Sequence, residues 1–187
     1  MIVLPFKGDF VVFDTETTGL VLPSAAEIHL QPYMTEFYGI RIDKHFEMVS
    51  EFGSMVKPPI PIPEEVTKIT GINDSMVANA PSFIQIFDKI VELFFGARVG
   101  VGHNVSFDMD ILKYEMTRHD LEFMFPWTPQ RHCTVELSFP IKNKRLNLSA
   151  LHELATGRPH FNAHRAKDDV MATVRCYQWL FEKGFIQ

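Results

Sequence analysis

The chain has 187 residues, 46% of them hydrophobic and 22% charged, and a formal net charge of −5. This composition excludes a disordered tail and a general basic footprint for nucleic acid, and the length predicts one globular domain over residues 1–187. Two cysteines without a CxxC pair favour a cytoplasmic protein, and the sequence shows neither a signal peptide nor an apolar run long enough to cross a membrane.

The predicted elements follow one another in an α/β order. An apolar run predicts a buried strand at 10–14, and predicted strands at 35–42 and 46–56 flank a hairpin at Asp43. Apolar residues spaced by three and four predict a helix at 83–95. The remaining predictions are a loop at 22–33, irregular chain through the prolines at 58–63, a strand at 98–102, a helix at 107–118, a β-like patch around Val135, and helices at 148–155 and 168–181. This order predicts a mixed sheet covered by helices.

Asp14 and Glu16 stand two residues apart at the end of the first predicted strand. Because side chains alternate along a strand, both carboxylates point to the same face of the sheet. Adjacent acids beside an apolar run are costly to bury unless a cation neutralises them. The residues around them offer hydroxyls and backbone amides to a polar ligand; these are Thr15, Thr17, Thr18 and Gly19.

Two further acidic positions lie where helices begin. Asp108 comes just after an apolar strand, at the edge where α/β sheets usually bind ligands, and Asp110 would project from a different side of the helix. Asp168 and Asp169 both fall in the first turns of the last predicted helix, where the helix dipole favours a carboxylate. The pattern alone leaves the choice between these two aspartates open, and His164 precedes them in the chain.

Three motifs resemble those of DEDDh exonucleases, the DnaQ-like group of 3′–5′ exonucleases that includes proofreading ε subunits and RNA-trimming enzymes. The family pattern D-x-E-T-T-G matches 14–19, and H-N-x-x-F-D matches 103–108, where we interpret His103 as a structural histidine at a strand end. The pattern H-x-A-x-x-D matches 164–169 and selects Asp169 as the acidic member. The three motifs occur in the family's order and span almost the whole chain.

The resemblance implies a ribonuclease-H-like fold, with a mixed five-stranded sheet and helices on both faces. It also implies two Mg²⁺ or Mn²⁺ ions, with His164 as the base that takes a proton from water. Their ligands would be Asp14, Glu16, Asp108 and Asp169. Apart from the family, four carboxylates carry a charge that two divalent cations cancel, and hard oxygen ligands favour these ions over zinc.

The activity implied by the resemblance is hydrolysis at the 3′ end of a nucleic acid, which releases nucleoside 5′-monophosphates. We predict DNA with single-stranded 3′ ends as the substrate and a DNA polymerase subunit as a candidate partner, and we make no prediction of the oligomeric state. The alternatives are an RNA-trimming enzyme and, from a different class, a catalytically idle nucleic-acid-binding module.

The resemblance also implies a set of substrate contacts. The family segment I-x-G-I occurs at 69–72, with Thr70 where many relatives have histidine. Three of the apolar positions, Leu20, Ile72 and Phe107, are also compatible with ordinary core packing. The predicted contacts are Thr15, Thr17, Thr18, Leu20, Ile69, Thr70, Ile72, Asn104, Phe107 and Arg165.

The segment 142–167 is more than twofold enriched in basic side chains relative to an even spread, and its only acid is Glu153. Alone, this pattern is typical of a solvated face. Because the segment includes part of the third motif, it favours contacts of Arg165 and Lys167, and of the group at 142–145, with phosphates upstream of the cleaved bond. The basic residues are Lys142, Lys144, Arg145, Arg158, Arg165 and Lys167.

Overall fold

The computed structural model describes residues 8–23, 26–160 and 164–186. It contains a sheet of five strands: β1 (Phe10–Thr17), β2 (Met34–Ile42), β3 (Met48–Met55), β4 (Val99–Gly102) and β5 (Gln130–Cys133). The strand order is β3-β2-β1-β4-β5. Strand β2 is antiparallel to β1 and β3, whereas β4 is parallel to β1 and β5. The predicted mixed five-stranded sheet is therefore confirmed.

Helices cover both faces of this sheet. In the described ranges they are α1 (Glu64–Thr70), α2 (Asp74–Val77), α3 (Phe83–Phe94), α4 (Val105–Thr117), α5 (Thr134–Lys142), α6 (Leu148–Thr156) and α7 (Ala166–Glu182). Because side chains alternate along β1, Val11 and Phe13 pack in one core cluster with residues of α3 and α4. Phe10 and Val12 pack in a second cluster with residues of α6 and α7.

Three helices differ from the sequence-based prediction. The prediction of a β-like patch around Val135 is wrong, because this residue lies in α5. Helix α5 follows the edge strand β5 and contains Pro140. Helices α1 and α2 follow the proline-rich stretch and were not predicted. Helix α1 has only Thr70 buried, so its sequence carries no amphipathic pattern. None of the helices in the described ranges combines the length and apolar character that a membrane span needs.

The predicted loop after β1 contains a short 3₁₀ turn at Ile28–Leu30 and is held against α4 by Arg118. The Nη2 atom of Arg118 donates hydrogen bonds to the carbonyl oxygens of Ile28, Gln31 and Pro32 at 3.1, 2.6 and 3.0 Å. The guanidinium lies 3.8 Å from the centre of the Tyr33 ring. Tyr33 in turn exchanges two hydrogen bonds with Thr18, so the loop returns beside the end of β1.

Candidate active site

The acidic residues of the three motifs come together at one edge of the sheet. Asp14 and Glu16 lie on β1, and Asp108 lies in the first turn of α4, directly after β4. Because β1 and β4 are parallel, their carboxyl ends meet at the same edge. Asp169 comes from the first turn of α7, which packs against β1. Four carboxylates from three distant parts of the chain therefore share one site.

Asp108 is oriented by the neighbouring strand. Its Oδ1 atom accepts hydrogen bonds from the backbone nitrogen of Thr15 at 2.9 Å and from the hydroxyl of Thr15 at 2.8 Å. Both residues are buried. Thr15, predicted as a substrate contact, therefore uses its hydroxyl in this structure to position an acidic residue.

Asp169 is held by two histidines of the segment before α7. Its Oδ2 atom accepts the backbone N–H of His164 at 2.9 Å, and its Oδ1 atom lies 2.5 Å from Nε2 of His160. His164 has a left-handed backbone, with φ of 69°. Potential ligand atoms of Glu16, His164 and Asp169 all lie within 4.8 Å of one another. The geometry thus suits a metal ion between β1 and α7.

Burial and mutual repulsion make these carboxyl groups hard to ionise together. Burial, with the charges of the neighbouring acids, raises the pKa of Asp14 well above its usual value. Burial and the charge of Asp169 raise the pKa of Glu16 to about 8, and burial raises the pKa of Asp108 to about 7. Repelling carboxylates of this kind call for a compensating cation, and their oxygen donors suit Mg²⁺ or Mn²⁺. The residues present therefore fit a divalent metal site.

These raised pKa values predict a pH dependence of stability without metal. The folded state binds more protons than the unfolded state between the ordinary carboxyl pKa values, 3.8 and 4.5, and the raised values of about 7 and 8. Stability therefore falls as pH rises through this window. In EDTA, we expect the melting temperature to fall by several degrees between pH 5 and pH 8. Saturating Mg²⁺ should largely remove this fall, and a melting temperature that rises with pH in EDTA would contradict the site.

Glu36 is a further acid at the site that the sequence motifs do not mark. It lies on β2 directly opposite Glu16 and is buried. Its carboxylate accepts hydrogen bonds from Nη2 and Nε of Arg165 at 2.9 and 3.2 Å, and from the backbone nitrogen of Ala166 at 3.1 Å. Glu36 thus binds the first backbone N–H of α7 and fixes Arg165, next to His164.

We predict that Glu36 positions the segment that carries His164. Glu36→Gln keeps an oxygen for the N–H of Ala166 but removes the ion pair with Arg165, so the segment should shift relative to β1. We expect kcat to fall by roughly tenfold, with little change in KM for the nucleic acid, in steady-state assays. Glu92→Gln on α3, which removes the same charge and an exposed ion pair with Lys89, serves as the control. A change in KM alone would instead mean that Arg165 acts by binding substrate.

The other predicted contacts in the first motif stabilise the turn after β1. The Thr17 hydroxyl donates to the carbonyl oxygen of Gly19 at 2.6 Å, and the Thr18 hydroxyl accepts the N–H of Tyr33 at 3.0 Å. Leu20, by contrast, is 81% exposed. Of the residues in this turn, Leu20 is therefore the one with a side chain free to pack on a ligand.

The remaining predicted contacts differ in exposure. Ile69 is 61% exposed, whereas Thr70 is buried and Ile72 has no exposed surface, because it packs with Ile62 and Val77. Asn104 is exposed and precedes α4 with a left-handed backbone, and Phe107 is partly buried against the core. Ile72 thus belongs to the core, and its side chain does not line the surface.

A cleft of about 310 Å³ opens beside the acidic residues. His103 lies in it, and its Nδ1 atom is 2.8 Å from the hydroxyl of Thr134. Burial lowers the pKa of His103 to about 4, so the imidazole is neutral. His160 and the start of α6 also line this site, although no sequence motif marks them. The described residues that line the cleft are Asp14, His103, Asn147, Leu148, Ser149, His160, His164 and Asp169.

Comparison with known proteins identifies the family. An exonuclease family model (RNase_T) matches residues 11–177. The chain is 32% identical over 178 residues to a PolC-type DNA polymerase III of Caldanaerobacter subterraneus subsp. tengcongensis, covering 95% of this chain and 12% of the relative. It is also 32% identical over 178 residues to the 3′–5′ exonuclease DinG of Staphylococcus epidermidis, covering 93% and 18%. The chain thus spans less than a fifth of the length of these relatives.

The fold of a solved structure agrees with this assignment. The nuclease domain of 3′hExo, a DEDDh family member bound to rAMP, superposes with a TM-score of 0.69 at 16% identity, covering 94% of each chain. The three motifs, the four converging carboxylates and the matched family model all lead to one conclusion. This chain belongs to the exonuclease family that the matched model describes, and its three motifs resemble those of the DEDDh group of 3′–5′ exonucleases.

Proposed function

We propose that this domain removes nucleoside 5′-monophosphates from the 3′ end of a nucleic acid, with single-stranded DNA ends as the favoured substrate. The observation that carries the proposal is the convergence of Asp14, Glu16, Asp108 and Asp169 at one sheet edge, next to His164. The DNA assignment is supported by one relative, a DNA polymerase III, and the 3′–5′ activity by the other, a 3′–5′ exonuclease. The nucleotide in the 3′hExo structure supports an RNA alternative, which the assay below tests.

We infer that two Mg²⁺ or Mn²⁺ ions are held by the four carboxylates of the site. Such ions stabilise the attacking and leaving oxygens of a phosphodiester displacement. The chain's own residues have separate tasks. Thr15 orients Asp108, Glu36 and Asp169 hold the segment before α7, and the imidazole of His164 accepts the proton of the attacking water.

The exposed apolar side chains beside the site suit stacking on a terminal nucleotide. Leu20 is exposed at the end of β1, and Phe107 lies one residue before Asp108 with part of its ring accessible. Stacking and backbone contacts of this kind tolerate any base, so recognition of the 3′ end would be largely independent of sequence. We expect Ile69 and Asn104 to add contacts at the rim, because both are exposed.

A strand labelled at its 3′ end tests the proposal directly. With Mg²⁺ or Mn²⁺, the label should be released as a mononucleotide, and EDTA should stop the release until the ion is restored. Single-stranded DNA, duplex DNA and RNA of the same sequence are compared side by side, and single-stranded DNA should be degraded fastest. Label that stays on every strand at all times would leave the idle binding module as the correct function, and faster loss from RNA would reassign the substrate.

A further inference from the structure

A second cleft, of about 670 Å³, shares His160 with the cleft beside the acidic residues. One wall is the face of α6 that carries His152 and Thr156, four residues apart. The other wall is a face of α7, on which the side chains recur at the helical spacing of three and four. The described residues that line this cleft are His152, Thr156, Arg158, Pro159, His160, Asp168, Met171 and Arg175.

The cleft has an excess of positive charge. Arg158 and Arg175 are both exposed, and neither takes part in an ion pair or side-chain hydrogen bond within the described parts of the chain. Asp168 is the one acid among the described lining residues. The charge of Arg175 also reaches His152, whose pKa is lowered mainly by burial and further by this charge. Two guanidinium groups without partners are therefore available to an anion.

This basic cleft adjoins the catalytic cleft. His160 lines both, and its Nε2 atom contacts Asp169, so the two clefts share one wall. An extended strand with its last phosphodiester bond at the carboxylates needs a path for the preceding phosphates, on the 5′ side of that bond. The protein as a whole is acidic, with a net charge of −5, so local pairs of arginines are where such phosphates can be bound.

We propose that Arg158 and Arg175, in the cleft between α6 and α7, bind phosphate groups of the substrate strand upstream of the cleaved bond, on its 5′ side. This inference rests on the proposed function, because it assumes that the acidic site holds the 3′ end of a strand. Phosphate recognition by arginine is independent of base sequence, so the cleft would increase affinity for longer strands without selecting among them.

The test compares a long and a short substrate in the Arg158→Ala/Arg175→Ala variant. The long substrate is a single-stranded 20-nucleotide DNA, about the length of common assay strands, and the short one is the p-nitrophenyl ester of thymidine 5′-monophosphate, which has no upstream phosphates. We expect KM for the strand to rise roughly tenfold, with turnover of the ester unchanged. Equal losses on both substrates, or no change on either, would overturn the proposal.

The control variant removes the same charge at the other end of the sheet. Lys44 lies in the turn between β2 and β3, and Arg98 lies just before β4, both near the end of β1 that carries Phe10. Both residues are exposed. Lys44→Ala/Arg98→Ala should leave both substrates unaffected, and a similar rise in KM in this variant would show that net charge alone is responsible.

Binding measurements separate this inference from the proposed function. The affinity for a fluorescent strand with phosphorothioate linkages at its 3′ end, which slow cleavage, is measured by anisotropy against salt concentration. Loss of two phosphate contacts should reduce the slope of log affinity against log salt by about 1.4. The salt slope can be measured even if the wild type hydrolyses neither substrate. A lack of hydrolysis would count against the proposed activity and not against binding in the cleft. A salt slope that is unchanged in the arginine variant would overturn the proposal that this cleft binds phosphates.

A free mononucleotide offers the same phosphate chemistry as the strand. The inhibition constant of thymidine 5′-monophosphate against the short ester distinguishes the two sources. We expect this inhibition constant to be the same in the wild type and in the arginine variant, because the nucleotide then competes with the ester for the acidic site alone. An inhibition constant that rises in the variant would assign the cleft to the released nucleotide and would overturn its assignment to the strand.

Discussion

Replacing Asp108 with asparagine is expected to reduce turnover of a 3′-labelled strand by about 10³-fold or more while leaving the fold intact. Asparagine has the same shape and keeps an oxygen for the two hydrogen bonds from Thr15, so the local structure should persist. It removes one of the negative charges that would hold the divalent ions. The same result is expected for Asp14→Asn, and activity within tenfold of the wild type in either variant would show that the metal site is wrongly placed.

Asp110→Asn is the matched control for this experiment. Asp110 lies on the same helix two residues later, and it is not among the residues that the structure brings to the acidic site. This variant loses the same charge and should retain wild-type turnover. A second readout concerns stability, since Asp108→Asn also removes one of the repelling buried groups. In EDTA, the melting temperature of Asp108→Asn should fall less with pH than that of the wild type.

Replacing His164 is expected to reduce the rate by about 10² to 10⁴-fold, the usual contribution of a positioned acid–base group. Asparagine is the variant of choice, because it tolerates the left-handed backbone of this position. The backbone N–H that binds Asp169 is also retained. The wild-type rate should rise with pH and then level off, because only the neutral imidazole accepts a proton, whereas the variant should lose this dependence.

The affinity for Mn²⁺ decides between two tasks for His164. Its imidazole is close enough to Glu16 and Asp169 to be a metal ligand as well as a base. If His164 acts as the base, its replacement should change the affinity for Mn²⁺ only slightly. This affinity is measured from the electron paramagnetic resonance signal of the free ion. Loss of the metal together with activity would make His164 a ligand. A variant whose pH–rate profile is unchanged would exclude its role as the base.

The sequence predicts the parts of this protein that are coded locally. Strand β1 begins with an apolar run and was predicted at 10–14, but it continues to Thr17. Helix α3 has a clear amphipathic spacing and was predicted within one residue of its observed bounds. The three motifs identify Asp14, Asp108 and Asp169 through their resemblance to the family patterns. The convergence of Asp14 and Asp108 follows from the parallel pairing of β1 and β4, and that of Asp169 from the packing of α7 on β1; the sequence predicted a mixed sheet but neither of these pairings.

What the sequence did not predict depends on long-range pairing or on weak local patterns. Glu36 lies within an ordinary strand, and its position depends on a register with Glu16 and on Arg165, 129 residues away. Strand β5 is an edge strand with exposed polar residues, so it lacks the alternating pattern, and the β-branched Val135 indicated a strand that ends just before it. His160 has no motif spacing, and only the folded chain brings it to Asp169.

The acidic site is divided between β1 near the start of the chain and α7, and this affects when activity can arise during synthesis. Asp169 follows Asp14 by 155 positions (169 minus 14), which a ribosome takes roughly 8 to 30 s to translate. Until α7 has been made and has packed on β1, the nascent chain holds an incomplete set of carboxylates. The proposed activity is therefore expected to arise only after α7 has been synthesised and has packed on β1.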